Sequence, residues 1–278
     1  MRNCFRKDYV LTVSAIAASL FVISATTKAQ TAAAPPPAAA HKAAYAAPRT
    51  ADGKPDLQGI WEARNTANDD LQDHGGSYGI LPGLSVVQGG QIPYQAKALA
   101  QKNENFKNRE TADPNSKCFL AGMPRTMYMP DPFQILQTPQ AVVVVSEYVD
   151  TWRWIPTYDL PRYGALDAWN GDPRGHWDGD TLVVETEGFN DQTWLDHAGD
   201  FHSDEMKLVE RFTRTGPDVI SYEATISDPK VFTKDWTIKM PLYRRSDLPR
   251  IMENECFMYA DEAGKGVHNT PPGASSLK

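Results

Sequence analysis

Residues 175–186, GHWDGDTLVVET, contain the clearest hairpin signal in the chain. Asp178-Gly179 is a favoured two-residue turn, and the segments 175–177 and 181–186 beside it have the pattern of paired strands. On both sides of this hairpin, other short runs also predict strands. In these runs apolar and polar residues alternate, or β-branched residues are frequent. These runs lie at residues 57–61, 133–137, 141–148, 152–155, 206–213, 219–227, 235–243 and 251–258.

The predicted strands follow one another with almost no helix between them. Only residues 94–109, directly after Pro93, have the composition of a helix. Parallel sheets need crossover helices, which are missing from this pattern. The fold class is therefore predicted to be mainly β: an antiparallel β-barrel or strongly curved sheet with one short helix and long loops.

The N-terminus has the pattern of an export signal. Arg2, Arg6 and Lys7 precede an apolar run at residues 10–25, and small residues follow at the −3 and −1 positions of a cleavage site. This pattern predicts a signal peptide over residues 1–29 and a periplasmic or secreted protein. An uncleaved anchor is the alternative interpretation.

The rest of the chain is predicted to form one domain. Residues 30–47 are rich in Ala and Pro and predict a disordered spacer, residues 48–267 predict a single barrel-like domain, and residues 268–278 predict a loose tail. The 28 Lys and Arg residues are outnumbered by 35 Asp and Glu residues, and no basic block is present. We therefore expect no nucleic-acid partner, no stable membrane insertion after signal cleavage, and a monomer.

Two cysteines remain after removal of the predicted signal peptide, which contains Cys4. In an oxidising compartment, Cys118 and Cys256 most simply form a disulfide bond with each other. Two buried free thiols are the alternative.

Several sequence blocks resemble one family of proteins. The blocks include GMPR at residues 122–125, PFQILQTP at 132–139, GHWDGDTLVVETEGFNDQTWLD at 175–196 and HSDEMKLVERF at 202–212. In this order they resemble a largely uncharacterised family of exported bacterial β-rich proteins. The resemblance implies a calycin-like or lipocalin-like barrel and implies no particular activity.

The segment 190–212 is the richest in groups that could do chemistry. One interpretation makes His202 a general acid or base whose ring is oriented by Asp204 or Glu210. A His-x-Asp pair on an extended chain shares one face, which puts Asp204 within reach of His202. A second interpretation is a divalent metal site formed by Asp196, His197 and His202. In a third, the same residues only cap turns and form ion pairs. His176 would join His202 in one pocket if its side chain faced the barrel interior.

Other side chains could bind a substrate. Arg125 lies in a loop, where it could hold a carboxylate or phenolate, or form a surface salt bridge. Aromatic residues are numerous enough to line a pocket for a hydrophobic or aromatic molecule as well as the core. The aromatic candidates for substrate binding are Tyr128, Trp152, Trp154 and Trp194.

Known cofactor-binding motifs are missing from the sequence. It contains no phosphate-binding loop, no H-E-x-x-H and no C-x-x-C. We therefore expect no cofactor. The expected function is a cofactor-independent lyase, isomerase or hydrolase that applies His/Asp acid–base chemistry to a hydrophobic or aromatic small molecule. The alternative is a periplasmic lipocalin-like protein that binds such a molecule without changing it.

Overall fold

The computed structural model describes residues 45–77, 80–162, 164 and 166–254. All of these residues belong to one compact unit. The predicted signal peptide, residues 30–44 of the predicted spacer, the predicted tail and Cys256 lie outside the described residues. Within the described part of the spacer, Ala47 is buried, so the folded chain begins earlier than the predicted boundary at residue 48.

Over the residues that the structure describes, the protein is mainly β, with nine antiparallel strands in a single sheet. The strands are β1 (Gly59–Ala63), β2 (Phe133–Gln137), β3 (Ala141–Ser146), β4 (Trp152–Pro156), β5 (Asp172–Asp178), β6 (Thr181–Glu187), β7 (Lys207–Gly216), β8 (Val219–Ser227) and β9 (Trp236–Arg244). Their order in the sheet is β4-β3-β2-β1-β9-β8-β7-β6-β5. The strand β1 thus joins the meander β2–β4 to the meander β5–β9.

The sheet curves into a nearly closed barrel, because its two edge strands approach each other. A Cβ atom built on Gly175 of β5 would lie 2.8 Å from the Ile155 side chain of β4. Closure of this kind leaves little exposed sheet edge. The predicted antiparallel barrel is therefore confirmed.

Most predicted elements agree with the structure to within a few residues. The Asp178-Gly179 turn joins β5 and β6, which pair from Asp178–Thr181 outward. The one α-helix of the described residues, α1 (Ala96–Ala112), starts two residues later and ends three residues later than predicted. The strand predicted at 251–258 is wrong over its described part, because residues 251–254 form only an isolated bridge between Asn254 and Tyr148.

Inward-facing side chains fill the barrel with one hydrophobic cluster. In β8 the buried residues alternate strictly, and Ile220, Tyr222, Ala224 and Ile226 all face the interior. Trp61 of β1 packs in the same cluster. Removal of this apolar surface from water is the main force that favours the barrel.

A buried ion pair joins the two sides of the seam between the edge strands β4 and β5. Arg153 of β4 donates from Nη2 to Glu210 Oε2 of β7 at 2.6 Å and to Thr186 Oγ1 of β6 at 2.7 Å. Tyr222 donates its hydroxyl to the other oxygen of Glu210 at 2.9 Å. These bonds link the edge strand β4 to β6 and β7, which lie beyond the opposite edge strand β5.

Across the described residues, no helix combines the length and the apolar character needed to cross a membrane.

Candidate functional site

Two long connections meet at one end of the barrel and contain most of the polar candidates. The strands β1 and β6 run in the same direction in the sheet, so residues 64–132 and 188–206 leave the barrel at the same end. Backbone contacts join them, since His197 N donates to Asn68 O at 2.8 Å. Tyr128 adds a second link, with its hydroxyl donating to Leu195 O at 2.7 Å.

A glycine allows the second connection to pack closely against α1. Gly199 has φ +87°, and a Cβ atom on it would lie 2.7 Å from the Cβ of Asn105. Asn105 Nδ2 donates to the carbonyl oxygen of Gly199 at 3.1 Å. A side chain at position 199 would therefore strain the backbone and separate the two segments. This packing brings His197 next to the helix.

His202 is buried and bonded to uncharged partners. Its Nδ1 lies 2.9 Å from the carbonyl oxygen of Ser203, and its Nε2 lies 2.7 Å from Thr193 Oγ1. A carbonyl oxygen only accepts, so Nδ1 is the donor and the Thr193 hydroxyl donates to Nε2. Burial lowers the pKa of His202, which therefore stays neutral near pH 7.

Asp204 does not orient His202 as the sequence predicted. The chain turns at residues 204–205 instead of continuing as an extended segment, so the two side chains do not share a face. The Asp204 carboxylate is exposed and accepts a hydrogen bond from Lys230 Nζ at 2.8 Å. The geometry thus contradicts the predicted His202–Asp204 pair.

Three other predicted site residues lie on the outside of the barrel. His176 of β5 is exposed, and its neighbour Trp177 packs against the core, so His176 does not share a pocket with His202. Trp152 and Trp154 are 66% and 40% exposed. They face outward because Arg153 takes the inward position between them.

Arg125 and Tyr128 are buried and belong to the framework of the site. Arg125 donates from Nη1 and Nη2 to the two carboxylate oxygens of Asp113 at 2.8 and 2.9 Å, and from Nε to Asn68 Oδ1 at 2.9 Å. The guanidinium donors of Arg125 thus bind groups inside the protein, and they form neither a substrate contact nor a surface salt bridge. Trp194, the remaining aromatic candidate, is half-buried and forms a backbone bridge with Phe201.

His197 combines a fixed ring nitrogen with an accessible one. Its Nδ1 lies 2.8 Å from Asp113 Oδ2, while Nε2 lies 3.7 Å from Oε1 of the exposed Glu110. The side chain is 22% exposed. Because Asp113 is held in turn by Arg125, the three side chains form a chain of contacts from the interior to the surface.

Asp113 is ionised at neutral pH. Burial alone would raise the pKa of its carboxyl, but hydrogen bonds from His197 and Arg125, together with the Arg125 charge, lower that pKa to about 2. The carboxylate is therefore an acceptor, and Nδ1 of His197 is its donor. This fixes the tautomer of the ring and leaves Nε2 with a lone pair when His197 is neutral.

The His197 ring lines a surface cleft of about 290 Å³ between α1 and the segment that follows β1. Ile80, Phe106 and Ala198 contribute apolar surface to the cleft. Polar groups in the lining include Asp70, His74 and Arg109. The Arg109 guanidinium carbon lies 4.2 Å from the centre of the Phe106 ring, so the cation and the aromatic face are already stacked.

A cluster of three carboxylates lies beside this cleft. One oxygen from each of Asp70, Asp196 and Asp200 lies within 4.8 Å of the other two. Burial, followed by the charge of Asp200, raises the pKa of Asp196 well above its ordinary value. The hydroxyl of Tyr94 donates to Asp200 Oδ1 at 2.6 Å, and burial raises the pKa of Tyr94 as well.

The predicted metal set of Asp196, His197 and His202 is not brought together. His197 contacts Asp113, His202 contacts Thr193, and Asp196 lies with Asp70 and Asp200. Within the described ranges, the three aspartates are the only group of His, Cys, Asp or Glu residues with the spacing of a metal site. The sequence prediction failed because it grouped residues that are neighbours in the chain.

The fold and the site together define an antiparallel barrel with a histidine–carboxylate dyad in a loop-built cleft at one end. Comparison of the chain with protein-family models, curated proteins and solved structures finds no match.

Acid titration should reveal the ion pair that supports His197. The folded pKa of Asp113, about 2, is below the reference value of 3.8, so its contribution to stability is full above about pH 5 and is lost as pH falls toward 2. We expect wild type to lose about 2 kcal/mol of unfolding free energy through this group between pH 5 and pH 2.

The measurement is urea unfolding as a function of pH in wild type and Asp113→Asn. The variant leaves Arg125 buried without its carboxylate, so at pH 7 it should be less stable by about 3–5 kcal/mol. The difference in unfolding free energy between wild type and Asp113→Asn should become smaller by about 2 kcal/mol between pH 5 and pH 2. An Asn substitution at the exposed Asp159 serves as the control. A constant difference between wild type and Asp113→Asn down to pH 2 would show that the pKa is not depressed.

Proposed function

We propose that the protein is an exported, cofactor-independent enzyme in which His197 and Asp113 perform acid–base chemistry on a hydrophobic or aromatic small molecule. The observation that carries this proposal is the 2.8 Å contact between His197 Nδ1 and a buried carboxylate, on a ring that lines an open cleft. A positioned imidazole with one fixed nitrogen is a common general acid or base.

The proposed chemistry starts with proton transfer from the substrate to Nε2 of His197. The resulting imidazolium is stabilised by the Asp113 carboxylate at Nδ1, and Arg125 keeps that carboxylate in place. Return of the proton to another atom of the substrate would complete an isomerisation, and its transfer to a leaving group would complete an elimination. If the base removes a proton from a water molecule instead of from the substrate, the resulting hydroxide could attack the substrate, and the same site would support hydrolysis.

Arg109 is suited to stabilise negative charge on the substrate. It lies in the same cleft as His197, and it is stacked on Phe106 next to the apolar surface. Removal of a proton from a carbonyl compound leaves an enolate, whose charge a nearby guanidinium favours. The cleft therefore combines a base, a cation and an apolar wall, which supports a substrate with an aromatic part and an acidic proton.

A lipocalin-like carrier would need space for its ligand inside the barrel. The described interior is instead occupied by one packed cluster that includes Trp61, Phe212 and Tyr222. For this reason we place the ligand in the cleft beside α1. A carrier that used this cleft would have no need for the His197–Asp113–Arg125 chain.

Deuterium incorporation tests the proposed function. In D₂O, ¹H NMR of a panel of aromatic ketones, hydroxy acids and esters would detect both proton abstraction and product formation. Once a substrate is found, His197→Gln should reduce turnover by about 10²–10⁴-fold, because it removes the titrating group.

His202→Gln is the matched control for this experiment. It changes a buried histidine with uncharged partners, so it should lower the melting temperature and leave turnover per folded molecule close to wild type. Wild-type turnover in His197→Gln would contradict the proposal, whatever the result for His202.

We also propose that export is accompanied by a disulfide bond between Cys118 and Cys256. Tyr148 links the two regions, since its hydroxyl donates to Phe119 O at 3.2 Å and its backbone bridges Asn254. Phe119 follows Cys118 directly, and Asn254 precedes Cys256 by two residues. These contacts support a bond that would anchor the end of the chain to the barrel.

Intact-mass analysis tests both the bond and the cleavage. Protein purified from the periplasm and alkylated under denaturing, non-reducing conditions should carry no alkyl group, whereas reduction should expose two thiols. The Cys118→Ser variant should carry one alkyl group without reduction. Two alkyl groups on unreduced wild type would disprove the bond, and a mass that includes residues 1–29 would disprove cleavage.

A further inference from the structure

We propose that Asp70, Asp196 and Asp200 form a binding site for a calcium ion next to the His197 cleft. This proposal does not depend on the function of His197. It is based on the juxtaposition of three carboxylates and on a buried carboxylate oxygen that has no partner.

The spacing of the three carboxylates fits a single ion. Calcium binds oxygen ligands at about 2.3–2.6 Å, so two oxygens on opposite sides of one ion are about 5 Å apart and adjacent ones are closer. The three oxygens here lie within 4.8 Å of one another. A single ion placed among the three carboxylates therefore lies within reach of one oxygen from each.

Asp200 provides the independent observation. Its side chain is fully buried, and only one of its oxygens, Oδ1, has a donor, the Tyr94 hydroxyl. In the part of the chain that the structure describes, Oδ2 has no N–H or O–H donor, so only a cation or a proton shared with the Asp196 carboxyl can satisfy it. A buried carboxylate oxygen without a donor is costly unless a cation or a proton occupies the adjacent space.

The other two carboxylates are oriented by backbone donors. Asp196 accepts from Leu71 N at 2.9 Å and from Asp200 N at 3.0 Å, and Asp70 Oδ1 accepts from Gln72 N at 2.8 Å. No Lys, Arg or His among the described residues forms an ion pair with any of the three aspartates. Three ionised carboxylates this close would repel one another strongly, so either a proton on one of them or a divalent cation between them must offset that repulsion.

The ligand chemistry favours calcium. All the groups are oxygens, which argues against zinc, since zinc sites mostly contain His or Cys. Magnesium requires near-ideal octahedral geometry, whereas calcium accepts irregular sets of six to eight oxygens completed by water. Asp70 is only half-buried and also lines the His197 cleft, so an ion and its remaining waters have access from that side.

Thermal unfolding of the full protein after EDTA treatment tests the site. Addition of CaCl₂ at about a hundred times its dissociation constant should raise the melting temperature of wild type by about 5–10 °C. Asp200→Asn should lose this shift. Asp204→Asn, which changes an exposed aspartate paired with Lys230, should retain it.

A measurement on wild type alone keeps the proposal testable if Asp200→Asn does not fold. Terbium substitutes for calcium and emits when a nearby aromatic ring is excited, and the Tyr94 hydroxyl lies 2.6 Å from Asp200 Oδ1. We expect sensitised terbium emission that excess calcium abolishes. Absence of both the thermal shift and the displaceable emission would overturn the proposal and favour a proton shared by Asp196 and Asp200. Equal thermal shifts in wild type and Asp200→Asn would overturn it in favour of surface binding.

Discussion

The buried ion pair between Arg153 and Glu210 is the constraint that closure of the barrel has to satisfy. Both charges lie inside the barrel, where loss of water costs several kcal/mol per ion unless each charge is fully partnered. Each carboxylate oxygen of Glu210 accepts one hydrogen bond, from Arg153 or from Tyr222. Nε and Nη1 of Arg153, in contrast, have no hydrogen-bond acceptor among the described residues. The surrounding apolar packing must offset this cost, so barrel closure and core formation depend on each other. Closure in turn fixes the strands β1 and β6, whose following connections form the site.

The strands were predictable because their signals are local. Asp178-Gly179 specifies a tight hairpin, and the alternation in residues 219–227 is maintained over nine residues, so both are visible without knowledge of the tertiary structure. The orientation of β4 was not predictable in this way. The apolar character of Trp152 and Trp154 favours these two as the inward residues. Arg153 faces inward instead, because it pairs there with Glu210, which lies 57 residues later in the chain. Only the closed barrel brings these two charges together.

The sequence indicated the right segment for the site but the wrong histidine. Residues 190–212 do provide His197, Asp196 and Asp200, as their density of ionisable groups suggested. The residues that decide their chemistry come from elsewhere: Asp113 is 84 positions away from His197 and Asp70 is more than 120 positions away from Asp196. Neither stands in a motif, so no pattern in the sequence distinguishes them from solvated aspartates. His202 looked equally suitable, and its burial against Thr193 became visible only in the fold.

The tautomer of His197 is a direct test of its proposed role as a base, because the measurement requires neither a substrate nor a metal. Long-range ¹H–¹⁵N correlation spectra recorded in alkaline solution report which ring nitrogen carries the proton. We expect that His197 is protonated at Nδ1 and unprotonated at Nε2, and that Asp113→Asn removes this preference. Protonation at Nε2 in wild type would contradict the account, because the nitrogen that faces the cleft would then be unable to accept a proton.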